Sequence, residues 1–165
     1  MKCFYDTEFL DDGRTIEFIS IGIVREDGAE YYAVNRDADW PRIHESEWLM
    51  ANVVNQLPTE STWKTKTQIA GEVQAFLMSE GTPELWAWFA AYDHVVLSQL
   101  FGRMLDLPPG MPMFTNDLRS LIDWVGVKVL PDQAAGNHDA LEDARHLKVR
   151  FDYVGELVAA RGAVA

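Results

Sequence analysis

Asp6 and Glu8 stand two residues apart at the end of the apolar run Cys3-Phe4-Tyr5. In an extended strand successive side chains alternate faces, so both carboxylates project side by side from one face. Like charges held that close call for a cation. Taken alone, the step is equally what a solvated strand end looks like, and its meaning depends on acids elsewhere in the chain.

Two such acids fall out of phase with their surroundings. With residues 92–101 as a helix, Asp93 shares a face with Val96, Leu97 and Leu100, which must pack inward. In a final helix traced by Ala140, Ala144, Leu147, Phe151 and Val154, Asp143 also lies within the apolar face. A buried carboxylate is normally paired with a cation, coordinated to a metal or protonated. A salt bridge to a buried Arg, or a helix cap, accounts for either acid singly. Four carboxylates, two from a strand and two from inward helix faces, are harder to explain separately, and they suit hard divalent cations. Oxygen ligands select magnesium or manganese, and a pair of ions roughly 3.5–4 Å apart is the arrangement that cleaves phosphodiesters.

His138 precedes Asp143 by five positions, which is about 140° around a regular helix. It therefore belongs on the loop entering that helix, beside Asn137 as a candidate cap. An imidazole, with an ordinary pKa near ~6.5, suits taking a proton from water at neutral pH. His44 and His94 lack comparable company, although His94 adjoins Asp93 and the substrate that Asp93 would serve.

The elements that must position these residues follow from pattern. Strands are expected at the N-terminus, at 16–24 and at 31–34, the first two joined by a turn at 10–14 and the last two by Glu26-Asp27-Gly28, as an antiparallel meander. Leu49, Val53 and Leu57 predict one short helix, and Ile69, Val73, Phe76 and Leu77 an amphipathic one ending before Gly81. Between them, Lys64 and Lys66 read as a solvated loop or as a phosphate contact. The run 85–90 is a buried central strand leading into the helix that carries Asp93. Met113-Phe114 is a brief strand before a helix with Leu118, Leu121, Ile122 and Val125 on one face, capped by Thr115 or Asn116. Residues 129–136 are a loop, and the tail from Ala159 is expected to fray. Three leading strands followed by a strand between helices give an α/β layer structure with a mixed sheet, in a single domain over residues 1–165.

Composition narrows the partners. A formal charge of −12 excludes a protein that grips nucleic acid through a general basic surface, because such binding depends on phosphate neutralisation by Lys and Arg. Any nucleic-acid role must be local, such as a cation-filled cleft. Cys3 is the only cysteine, which excludes an intramolecular disulfide and fits a reducing cytoplasm. The N-terminus lacks the apolar core of a signal peptide, and no stretch approaches the ~18–20 apolar residues of a membrane span.

Asp6-Thr7-Glu8, then Tyr92-Asp93 at a helix head, then the stretch from His138 to Asp143 resemble, in order, the three motifs of the DEDDh 3′-to-5′ exonucleases. The likeness covers residues 1–153 and is strongest to the polyadenylate-specific 3′-exoribonucleases of actinobacteria, in Phe4 to Phe9, Leu85 to Trp88 and Ala91 to Val95. Ribonuclease T is a more distant relative. The chain departs from many members at Phe89, where they carry Asn, and at Phe9-Leu10, where they carry a small residue and Gly. That sets it apart from the proofreading DNA exonucleases.

The resemblance implies a ribonuclease H-like fold with a mixed central sheet flanked by helices. It also implies two magnesium ions, for which manganese can substitute, and release of nucleoside 5′-monophosphates from single-stranded RNA 3′ ends, with preference for poly(A). Asp6, Glu8, Asp93 and Asp143 are then the metal ligands and His138 the general base, and Thr7, Glu8, Phe9 and His138 meet the substrate. Glu8 would meet the terminal ribose hydroxyl, and Phe9 either stacks on the terminal base or packs in the core. A homodimer is implied by the resemblance alone. Competing readings are a 3′-to-5′ exonuclease of single-stranded DNA or short oligonucleotides, a catalytically silent RNA-binding module, and a structural cation-binding domain.

Overall fold

The computed structural model describes residues 1–162. Strands β1 (Lys2–Asp11), β2 (Ile16–Arg25) and β3 (Glu30–Val34) form the expected antiparallel meander. β4 (Glu84–Ala87) adds parallel to β1, and β5 (Asn116–Asp117) parallel to β4, giving the order β3-β2-β1-β4-β5. The helices are α1 (Trp40–His44), α2 (Glu47–Asn52), α3 (Lys66–Met78), α4 (Ala91–Phe101), α5 (Leu118–Val125) and α6 (Ala140–Gly162). This mixed sheet flanked by helices is consistent with a ribonuclease H-like arrangement. Among the described residues, no helix is long and apolar enough to cross a membrane.

Alternation along β1 assigns its two faces to different cores. Cys3 and Tyr5 join Ile21, Ile23 and the inward residues of α3 and α4, Ile69, Val73, Leu77, Val96 and Leu97. Phe4, on the other face, meets Leu118 and Ile122 of α5 and Leu147 and Val154 of α6. Asp6 and Glu8 follow Phe4 in phase, so they emerge on the α6 side just where β1 is interrupted by a bulge between Glu8 and Phe9. A third cluster packs Ile43, Leu49 and Val53 onto Ile19 of β2 and so fixes the α1–α2 segment beside the sheet.

Four local expectations are corrected. The single short helix is two, α1 with Pro41 in its first turn and α2 capped by Ser46, followed by a 3₁₀ turn at Val54–Gln56. β4 stops at Ala87 because Phe89 takes a left-handed backbone conformation (φ 56°), which ends the extended run and starts α4 at once. The brief strand is Asn116–Asp117 and not Met113-Phe114, because the Asn116 side chain donates to the Leu85 carbonyl and ties this segment to β4. The cap of α5 is Asp117, whose carboxylate accepts from the Arg119 N–H, and not Thr115 or Asn116. α6 runs through Ala159 to Gly162; the remainder of the tail expected to fray, residues 163–165, lies outside the described residues.

Candidate active site

The parallel strands β1 and β4 end at one edge of the sheet, and the head of α4 and the first turns of α6 come down on that edge. Asp6, Glu8, Asp93, His138 and Asp143, drawn from three separate stretches of chain, line one cleft of about 570 Å³ together with Thr7 and Phe9. Among the described residues, the tightest group is Glu8, Asp143 and His138, whose nearest oxygens and ring nitrogen lie within 4.8 Å of one another. Asp6 and Asp93 line the same cleft outside that group.

Two of the four acids, Asp93 and Asp143, are held by neutral donors. Asp93, buried, accepts from both the backbone N–H and the hydroxyl of Thr7 through Oδ1, at 2.9 and 2.7 Å. Thr7 thus spends its polar groups on orienting Asp93. Asp143 accepts from the Gln133 side-chain amide at 2.6 Å and from the His138 backbone N–H at 2.9 Å. None of the four acids has a Lys or Arg within salt-bridge distance among the described residues, so the buried Arg partner is absent for both Asp93 and Asp143. The cap of α6 is Asp139, which accepts from the Leu141 and Glu142 N–H groups, in place of Asn137.

Uncompensated charge shows in the titration of these groups. Burial, then Asp143 and Asp93, push the Glu8 carboxyl up to about 8. Burial pushes Asp93 up to about 7 against the hydrogen bonds from Thr7. Asp6 is raised well above the ordinary carboxylate range by burial and then by Asp93 and Glu8, and Asp143 is raised chiefly by burial. All four shifts disfavour the charged form, because burial and the neighbouring carboxylates raise the cost of ionisation.

His138 sits on the loop entering α6 in a left-handed conformation (φ 67°), with its ring edge-on to Trp48 at 4.8 Å between centroids. Gln56 donates to the Asn137 carbonyl at 3.0 Å, so the segment after β3 braces this loop from outside. Phe9 stacks in parallel on Tyr92, 5.5 Å between centroids, and is partly buried against the α3–α4 core while lining the cleft, so both of its anticipated uses are compatible with its place. His94 faces away from the cleft lining and meets the Thr115 hydroxyl, which in turn contacts the buried Tyr5 hydroxyl.

Several contributors were invisible in the sequence. Gln133, Trp48 and Arg150 line the cleft from segments with no motif. Gly22 is opposite Asp6 in the β1–β2 ladder, and a Cβ there would lie 2.3 Å from the Ala140 carbonyl oxygen and the Leu141 nitrogen. Only a bare Cα lets α6 press its first turn against the sheet and carry Asp143 to the strand acids. A Gly interrupting an apolar strand is the signal that could have found it. Gly22→Ala is therefore expected to destabilise by about 1–3 kcal/mol through overpacking, a fall in Tm of roughly 2–4 °C per kcal/mol. Gly71→Ala, where the added methyl meets open space, should leave Tm unchanged or raise it, and equal melting of the two variants would refute the close-approach role.

The fold and cleft define the class: an α/β sheet protein with a carboxylate cluster at the strand ends, consistent with a ribonuclease H-like exonuclease. The chain belongs to the Rv2179c-like 3′-5′ exoribonuclease domain family, whose model matches residues 1–154. It is 47% identical over 155 residues to the 3′-5′ exoribonuclease Rv2179c of Mycobacterium tuberculosis strain H37Rv, covering 92% of this chain and 91% of that protein. The same figures hold for the 3′-5′ exoribonuclease MT2234.1 of strain CDC 1551.

Proposed function

We propose that this chain is a divalent-cation-dependent 3′-to-5′ exoribonuclease that releases nucleoside 5′-monophosphates from single-stranded RNA and prefers poly(A) tails. The observation that carries the reading is the convergence of Asp6, Glu8, Asp93, Asp143 and His138 in one cleft, with no Lys or Arg within salt-bridge distance of the four acids among the described residues. Family membership supports the exoribonuclease activity, and the DEDDh resemblance supports the residue roles and the poly(A) preference.

The donor set fits hard cations: every acid offers carboxylate oxygen, the cluster carries surplus negative charge, and no cysteine is near. Asp6, Glu8, Asp93 and Asp143 would hold two magnesium ions, with manganese as a substitute. Bound there, the ions supply charge neutralisation for the phosphate and for the departing 3′ oxygen and make water more acidic. Thr7 fixes the direction of Asp93, and Gln133 that of Asp143. His138, exposed at the mouth of the cleft, takes the proton of the attacking water. This division reconciles the charge of −12 with an RNA substrate, because the scissile phosphate is received by cations and not by a basic surface.

A digestion ladder of oligo(A), oligo(U) and oligo(dA), with and without EDTA, tests the reading. Mononucleotides stepping from the 3′ end of oligo(A), abolished by EDTA, are expected; faster digestion of oligo(dA) would move the substrate to DNA, and no release with magnesium or manganese would leave a silent binding module. The homodimer implied by the resemblance is read by light scattering as twice the chain mass.

Linkage gives a second test. The raised carboxyls of Glu8 and Asp93 mean that the folded state holds protons the unfolded chain has released. Their stability contribution is therefore present below the unfolded values near ~4 and is lost as pH rises through about 7 and about 8. In EDTA, Tm should fall between pH 5 and pH 8 by more than in Glu8→Gln. Magnesium should restore Tm at pH 8 and do little at pH 5. A Tm profile equally steep in wild type and Glu8→Gln would refute the linkage.

A further inference from the structure

Among the described residues, Arg150 is the only Arg or Lys lining the acidic cleft. Among the described residues, five other guanidinium groups are spent on carboxylates: Arg25 on Asp27, Arg42 on Asp12, Arg103 on Asp106, Arg119 on Asp123, and Arg145 on Glu30 and Glu142. Arg150 has no carboxylate within salt-bridge distance among the described residues. Asp132 and Asp143 act on it only at longer range. It lies over the Trp88 ring at 4.6 Å, and its Nε donates to the Pro131 carbonyl at 3.4 Å. That leaves its two terminal amino groups without a partner among the described residues, on a partly buried cation fixed in direction by an aromatic ring.

Its position along α6 says what it can meet. Asp143 and Arg150 are seven residues apart, so they lie on nearly the same face of the helix and about 10 Å apart along its axis. Asp143 lies in the first turn of α6 and Arg150 two turns further along, with its guanidinium directed onto Trp88 and Pro131. An extended polyanion entering the cleft would present a phosphate other than the scissile one there. Planar, doubly donating guanidinium groups match phosphate oxygens in pairs.

We propose that Arg150, supported on Trp88, is a phosphate subsite for single-stranded RNA, taking a phosphodiester that neighbours the scissile one. The inference rests on the RNA reading of the cleft but is independent of catalysis. It places sequence-independent binding on α6 and predicts that a substrate without a second phosphate gains nothing from Arg150.

The test is binding of labelled oligo(A) and oligo(U), followed by anisotropy in calcium across a salt titration, for wild type, Arg150→Gln and Arg150→Lys. One lost phosphate contact on a single strand lowers the slope of log affinity against log salt by about 0.7. Arg150→Gln should show that loss and weaken both oligonucleotides by the same factor, because a phosphate contact carries no base information. Arg150→Lys, which keeps the charge, should retain the slope. A slope unchanged in Arg150→Gln would overturn the subsite and leave Arg150 as a brace for the Pro131 loop, whose loss lowers Tm only. A p-nitrophenyl ester of a nucleoside 5′-phosphate, turned over in magnesium, keeps the two readings distinguishable. If wild type cleaves neither the ester nor RNA, the exonuclease reading fails, while the salt slope still decides the subsite. If Arg150→Gln loses ester turnover and RNA turnover equally, the subsite is refuted.

Discussion

Asp143→Asn should cut turnover on oligo(A) by on the order of 10³-fold or more, since losing even a partner behind a metal ligand costs about 10–100-fold and this change removes the charge of a proposed ligand itself. Folding should survive. The Asn oxygen still accepts from the His138 N–H, and the Gln133 amide can turn to offer its oxygen to the new amide. Stability should even move the opposite way from activity: Asp143 raises the carboxyl of Glu8, so without cations at pH 8 the variant sheds repulsion and should melt no lower than wild type. With magnesium added, wild type should gain Tm and the variant should gain much less. Wild-type-like digestion by Asp143→Asn would sink the assignment, and so would an unchanged Tm gain with magnesium. The opposite signs in EDTA and in magnesium separate a lost cation site from ordinary misfolding.

How far the site was legible depended on whether a residue's meaning is local. Asp6 and Glu8 could be placed on one face because strand alternation is fixed, and they do follow Phe4 onto the α6 side. Asp93 and Asp143 were legible as acids in apolar helix stripes, and both line the cleft. Gln133 and Trp48 were not, because a loop glutamine and a half-exposed tryptophan owe their roles to segments far away in sequence that fold over the cleft. The end of β4 was misjudged for a related reason. Leu85 to Ala90 is apolar throughout, and nothing in hydrophobicity reports the left-handed turn at Phe89 that starts α4 early and sets Asp93 against Thr7. β5 is two residues long, Asn116–Asp117, too short for any periodicity to register, and the Asn116 side chain adds a bond to β4 beyond the backbone pairing.

Replacing His138, the proposed base, should cost about 10²–10⁴-fold in turnover, the usual weight of a positioned general base, and the choice of variant decides what is learned. The backbone of His138 is left-handed, where Asn is tolerated and Ala is strained, so His138→Asn removes the imidazole with less disturbance than His138→Ala. The hydrogen bond to Asp143 comes from the His138 main chain and is kept in both. A ring nitrogen also lies within 4.8 Å of carboxylate oxygens of Glu8 and Asp143, which opens a second role for it, as a direct cation ligand. The two roles separate cleanly. A base leaves the magnesium-induced rise in Tm intact when it is removed, while turnover falls. A ligand takes the rise in Tm with it, as Asp143→Asn does. The exposure of His138 and its contact with Trp48 at the mouth of the cleft favour the first outcome, since a group that must exchange protons with solvent needs access to it. Trp48→Ala should then reproduce part of the loss in kcat by freeing the ring, while leaving the cation-dependent Tm unchanged.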